Sequence, residues 1–125
     1  MSTCNRAEIL IERSLASVLA QDYDNLEVIV VDDMSTDDTE RRVRDLGDAR
    51  VKYVRMTGQV LPPGMGAGIG ARNLGLTLAN GDFITHLDDD DAYEPERVSK
   101  LLRFAQEERA EFVWHPFLWQ ELPGQ

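Results

Sequence analysis

Cysteine is nearly absent from this chain of 125 residues: Cys4 stands alone. A single thiol closes no disulfide within the chain and builds no thiolate zinc site, which fits a reducing compartment. Positive charge is scarce as well. The 13 Lys and Arg face 23 Asp and Glu, a formal net charge of −10, and phosphate recognition on a nucleic acid needs clustered cations. Long apolar runs are also missing. None approaches the ~20 residues that a membrane span requires. The opening Met1-Ser-Thr-Cys-Asn-Arg6 lacks the apolar core of a signal peptide. The expectation is a cytoplasmic protein with no transmembrane segment and no nucleic-acid partner, built as one domain over residues 1–125.

What the sequence does contain is a regular alternation. Ile9, Leu10, Leu15, Val18 and Leu19 recur at helical spacing, predicting an amphipathic helix over Ala7 to Ala20. Leu26 to Val31 is a short β-branched run ending in two aspartates, the pattern of a strand buried on both faces of a parallel sheet. Ser35 to Asp38 offer caps for a second helix running to Leu46, where Gly47 stops it. Val51 to Val54 reads as a strand, the glycine- and proline-rich Thr57 to Gly70 as a mobile loop, and Ala71 to Ala79 as a third helix. Asp82 to Leu87 reads as a strand that again ends in aspartates, Pro95 opens a helix reaching Arg109, and Phe112 to Trp119 reads as extended. The order α-β-α-β-α-β-α-β implies an α/β fold, a mainly parallel sheet with flanking helices. It begins with a helix, so an opening strand is expected and not found.

In open α/β sheets the ligand crevice lies outside the carboxyl ends of the strands. Asp32-Asp33 and Asp88 to Asp91 end two predicted strands. Parallel strands would gather these carboxylates at one edge, where they repel one another unless something positive sits among them. A hard divalent cation, Mn2+ or Mg2+, answers that need. The other reading of Asp88 to Asp91 is a solvated turn with helix-capping acids. The glycines at 64, 66, 68 and 70 do not form a strand-GxGxxG-helix unit, so a dinucleotide fingerprint is not expected. His86 reads as a structural strand residue. His115, Trp114 and Trp119 read as packing against the sheet or covering an edge, and Cys4 is assigned no reactivity.

Ser17-Val-Leu-Ala-Gln21, Leu26-Glu-Val-Ile-Val-Val-Asp-Asp-Met-Ser-Thr-Asp37, Gly70-Ala-Arg-Asn-Leu-Gly75, Leu87-Asp-Asp-Asp-Asp91 and Pro95 follow one another in an order and spacing that resembles the family 2 glycosyltransferases. Asn5-Arg6 is similar to the residues that open that family's first helix. The resemblance implies the nucleotide-sugar-binding part of a Rossmann-like GT-A fold, cut short at both ends. By resemblance, Asp33 accepts a hydrogen bond from the nucleotide base, usually uracil, and Thr3 lays its backbone along that base. Asp32 either shapes the same pocket or serves as a strand-end hydrogen-bond acceptor. Arg72 either pairs with the diphosphate or forms an ion pair with an aspartate, and the two roles are compatible. Asp90 is the implied metal ligand, Asp89 lies toward the ribose, Asp88 supports the metal site and Asp91 caps the next helix.

Two departures from the family pattern carry expectations of their own. Only Met1-Ser2 precedes Thr3, so the family's first strand is missing. Its neighbours would expose unpaired backbone unless the C-terminal segment, a swapped segment or a homodimer edge fills the gap. The family takes its acceptor site and general base from chain beyond Trp119, so no catalytic residue is assigned here, and the 125 residues alone are expected to bind metal and a nucleoside diphosphate weakly at most and to transfer no sugar. Two alternatives stay open: a non-catalytic interaction module of the same fold, and a receiver-like signalling domain. The second needs a lysine at a later strand end, and the sole lysine after Asp91 is Lys100, predicted mid-helix.

Overall fold

The computed structural model describes residues 1–58, 68–116 and 118. At its centre is a parallel three-stranded sheet in the order β1 (Ser2–Thr3), β2 (Val28–Asp32), β3 (Val51–Arg55). Every residue of β2 is buried, because helices cover both faces of the strand. The side chains sort by the two-residue period of a strand. Val28 and Val30 join Leu10, Leu15, Val18, Val43 and Leu87 in one cluster. Ile29 and Val31 join Met56 and Ala71 in another. The first cluster is fed by the helical run after β1 and by α3 (Thr39–Asp45), the second by α4 (Ile69–Leu78).

The helical run after β1 has three parts. α1 (Ala7–Ile9) leads into a π-helical segment, Leu10–Leu15, and then α2 (Ala16–Leu19). Its extent matches the expected helix, but the widened middle was not foreseen. α3 ends before Gly47, whose φ of +62° takes the left-handed turn that a side chain disfavours. Gly68, at φ +79°, precedes α4, and a Cβ there would come 3.3 Å from Ser2 Oγ. The last helix, α5 (Arg97–Glu107), begins two residues beyond Pro95.

Three expectations need correction. Asp82 to Leu87 form no strand, and residues 82–86 are exposed. A strand there needs a hydrogen-bonding neighbour, and β1 spans only two residues, so the ladder has nothing to extend along. Only Leu87, 9% exposed, reaches the core. The described residues of Phe112 to Trp119 form no strand either and do not fill the sheet. Trp114 is 76% exposed rather than packed on the sheet, while His115 bonds to Arg97 Nη2 at 2.7 Å and Pro116 O at 2.8 Å. Trp119 and most of the glycine loop, including Gly64 and Gly66, lie outside the described residues.

The opening strand that the sequence reading found missing is present as the two-residue β1, which corrects that expectation. Ser2 pairs with Val31 and Thr3 with Asp32, and Val31 N–H donates to Met1 O at 2.9 Å. Thr3 therefore stands beside the carboxyl end of β2.

Candidate functional site

The site is assembled where β1 and β2 end. Asp32, the last residue of β2, is fully buried. One carboxylate oxygen, Oδ1, accepts Ser35 N–H at 2.7 Å. The other, Oδ2, accepts the Tyr53 hydroxyl and lies 3.6 Å from Arg55 Nη1. Arg55 Nη2 also donates to Ser35 O at 2.6 Å. Burial, and then the bond to Asp32, pushes the Tyr53 hydroxyl up to about 12. Asp32 thus works as an internal acceptor that shapes the turn. Asp33 is different. Its backbone N–H donates to Thr3 O at 2.8 Å, while its partly buried carboxylate has no hydrogen-bond donor among the described residues. Met34 follows at φ +61°, turning the chain away.

The turn Cys4–Arg6 runs alongside. Asn5 sits at φ +53°, a conformation that Asn tolerates better than most residues. Its Oδ1 accepts Thr36 N–H at 2.7 Å and Asp37 N–H at 3.2 Å, and its own N–H donates to Ser35 Oγ at 2.9 Å. Thr3 Oγ1 is buried with no hydrogen-bond partner among the described residues. Arg6 reaches the other way. Its Nη1 lies 2.6 Å from Asp90 Oδ2 and 3.2 Å from Asp89 Oδ1, and these contacts, the Asp90 bond foremost, push its pKa upward.

The acidic run thereby joins the same edge without a strand beneath it. Asp88 Oδ1 pairs with Arg72 Nη2 of α4 at 2.5 Å. The side chains of Ser14, Ser17 and Gln21 form a polar row on the first helical run that grips the following backbone. Ser14 Oγ donates to Asp91 O at 2.7 Å, Ser17 Oγ accepts Tyr93 N–H at 3.0 Å, and Gln21 Nε2 donates to Glu94 O at 2.8 Å. The expectation that Asp91 caps the next helix is overturned: α5 starts at Arg97, with Glu96 at the cap position. His86 offers its carbonyl to the Tyr93 hydroxyl at 2.9 Å.

Cys4 marks where the two acidic stretches meet. Partial desolvation raises its thiol pKa, and the charges of Asp33, Asp32, Asp37 and Asp89 raise it further. Asp33, Thr3, Arg72 and Asp88 to Asp90 are therefore brought to one edge, while Asp32 is turned inward. Sequence reasoning missed Tyr53 and Arg55, the clamp on the β2 turn. It also gave no role to Arg6 and did not see the Ser14-Ser17-Gln21 row. A signal for that row was present: Ser14, Ser17 and Gln21 recur at spacings of three and four along and just past the first helical run, and Ser14 is fully buried.

The residues suit a divalent cation in donor type but not as a closed cage. Asp88, Asp89 and Asp90 each keep one carboxylate oxygen that no described residue engages. No group of three or more His, Cys, Asp or Glu converges on one point among the described residues. A divalent cation held here would need further oxygens from elsewhere, such as substrate phosphates.

The profile of the glycosyl transferase family 2 matches residues 1–121. This chain belongs to that family. The family 2 chain is 38% identical over 122 residues to the putative colanic acid biosynthesis glycosyl transferase WcaA of Escherichia coli, covering 95% of this chain and 39% of that protein. It is 39% identical over 107 residues to a Campylobacter jejuni GalNAc(5)-diNAcBac-PP-undecaprenol beta-1,3-glucosyltransferase, covering 84% of this chain and 33% of that one. The chain thus spans between a third and two fifths of the length of these relatives. Among solved structures, S. aureus TarS in complex with UDP superposes with a TM-score of 0.73 at 31% identity, over 86% of this chain and 31% of that one. The mannosyltransferase PcManGT of Pyrobaculum calidifontis, in complex with GDP-Man and Mn2+, gives 0.69 at 26% identity, over 83% and 30%. The GT-A fold of these glycosyltransferases accounts for the parallel sheet and its flanking helices. No helix among the described residues is long and apolar enough to cross a membrane.

Proposed function

We infer that residues 1–125 form the donor-binding unit of a glycosyltransferase, taking a nucleoside-diphosphate sugar, of uridine type, together with Mn2+ or Mg2+. The observation that carries the reading is a contrast at one sheet edge. Asp33 presents an unengaged carboxylate beside the Thr3 backbone, and Asp88 to Asp90 stand at the same edge against Arg6 and Arg72. In this reading Asp33 accepts an N–H of the base and the Thr3 backbone lies along the base. Asp89 faces the ribose and Arg72 pairs with diphosphate oxygens. Asp90, supported by Asp88, holds the cation, which when bound supplies Lewis-acid stabilisation of the departing nucleoside diphosphate. The UDP and GDP-Man complexes of similar enzymes support the nucleotide class, and the Mn2+ in one of them supports the cation.

The acceptor site and the general base belong, on the same reading, to chain beyond Trp119, so residues 1–125 bind donor without transferring sugar. Calorimetry with UDP tests the binding. Mn2+ should tighten UDP binding at least tenfold, roughly the share one metal–phosphate bridge contributes, and Asp90→Asn should abolish that gain. Asp33→Ala should weaken UDP with or without metal. UDP binding indifferent to chelation and to Asp90→Asn would instead indicate a non-catalytic module. Sugar transfer by the purified 125 residues would overturn the division between donor and acceptor parts.

A further inference from the structure

Two arginines stand where charge balance alone called for a metal ion. Arg72 pairs with Asp88, but Arg6 is the more informative, because a single nitrogen of its guanidinium bridges two carboxylates, Asp90 at 2.6 Å and Asp89 at 3.2 Å. A cation shared by those carboxylates would compete for the space that nitrogen takes. The backbone carrying Arg6 is pinned, since Asn5 is stapled to Ser35, Thr36 and Asp37. Its side chain is not: it is 51% exposed, and nothing but the two aspartates holds it. A fixed root with a free, half-solvated head is suited to letting go.

We propose that Arg6 is a placeholder counter-ion. It neutralises Asp89 and Asp90 while the donor is away, keeps the affinity for free cation low, and swings out when cation and diphosphate arrive together. The proposal rests on the donor-binding reading above, but its test separates the two. Mn2+ binding without nucleotide is measured by calorimetry on the 125-residue protein, on R6Q, on R6K, and on R41Q. Arg41 is an exposed cation of α3 paired instead with Asp38 and Asp45.

R6Q should bind Mn2+ about tenfold more tightly than the unaltered protein, the scale of repulsion between one charge and a divalent ion a few ångströms apart in water. R6K, which keeps the charge, should stay within about threefold, and R41Q should not differ. Adding Asp90→Asn to R6Q should erase the gain. The Arg6–Asp90 pair is exposed and adds little to stability, whereas Asp89 is buried, so circular dichroism verifies that each variant folds. Equal or weaker Mn2+ binding by R6Q, an equal gain in R41Q, a gain surviving Asp90→Asn, or no Mn2+ binding by any variant overturns the placeholder. Tighter Mn2+ binding in R6Q with no UDP binding in any variant would uphold it while the nucleotide reading fails.

Discussion

The turn after β2 and the run Asp88 to Asp91 are both acidic and stand at the same end of the sheet, yet they are held in opposite ways. Asp32 is fully buried, and its carboxylate is bonded to a backbone N–H and to a tyrosine hydroxyl, with Arg55 behind it. The side chains of Asp88 and Asp90 are nearly half exposed and meet only the ends of two arginines that are themselves about half exposed. Buried, fully partnered polar groups rigidify what they hold, whereas exposed ion pairs are weak and exchange readily. The difference teaches that the turn after β2 is built in advance, while the charge balance of the acidic run is provisional.

That comparison can be broken most directly at Asp32. Asp32→Ala leaves the buried Ser35 N–H and the Tyr53 hydroxyl without their acceptor, and it should cost about 3 kcal/mol in urea unfolding. Tyr53→Phe removes one donor to a buried carboxylate and should cost about 1–2 kcal/mol. Burial of the Tyr53 hydroxyl, and then this bond, give it a pH signature. The Tyr53 hydroxyl is pushed up to about 12, above the roughly 10 of an unfolded tyrosine. Its contribution is therefore complete below about pH 10 and lost as pH rises through about 12, which phenolate absorbance would follow. Arg72→Gln should be the mildest, changing stability by less than about 0.5 kcal/mol because both partners are about half exposed. A loss for Arg72→Gln as large as that for Asp32→Ala would erase the distinction between the two regions.

How far the sequence can be read follows from the range of the forces involved. The helices and the two longer strands were legible because periodicity and β-branched runs are local properties, and β2 carried its double-faced burial openly in Val28 to Val31. The acidic positions were legible because they follow apolar runs. Asp82 to Leu87 misled for the same reason: an apolar run reads as a strand whether or not a neighbouring strand is there to pair with it. What stayed hidden depends on contacts across long stretches of chain. Tyr53 and Arg55 look like ordinary strand residues until β3 lies beside β2. Asn5 and Arg6, though visible in a motif, reveal their two-sided role only when Ser35 to Asp37 and Asp89-Asp90 arrive from 30 and 83 or more residues away. Gathering carboxylates did demand positive charge, as electrostatics required; the sequence could not say that the chain itself would provide some of it.

The polar row of Ser14, Ser17 and Gln21 has a consequence for the entropy of binding. By gripping Asp91 O, Tyr93 N–H and Glu94 O, it fixes the main chain just after the acidic run to the first helical run. Ordering a loop at the moment of association subtracts from affinity. Here the main chain is already in register, so a change of counter-ion asks only a few carboxylate and guanidinium torsions to move. Loosening the row, for instance with Ser14→Ala, would return that ordering cost to the ligand and slow its capture without touching a single group that meets it.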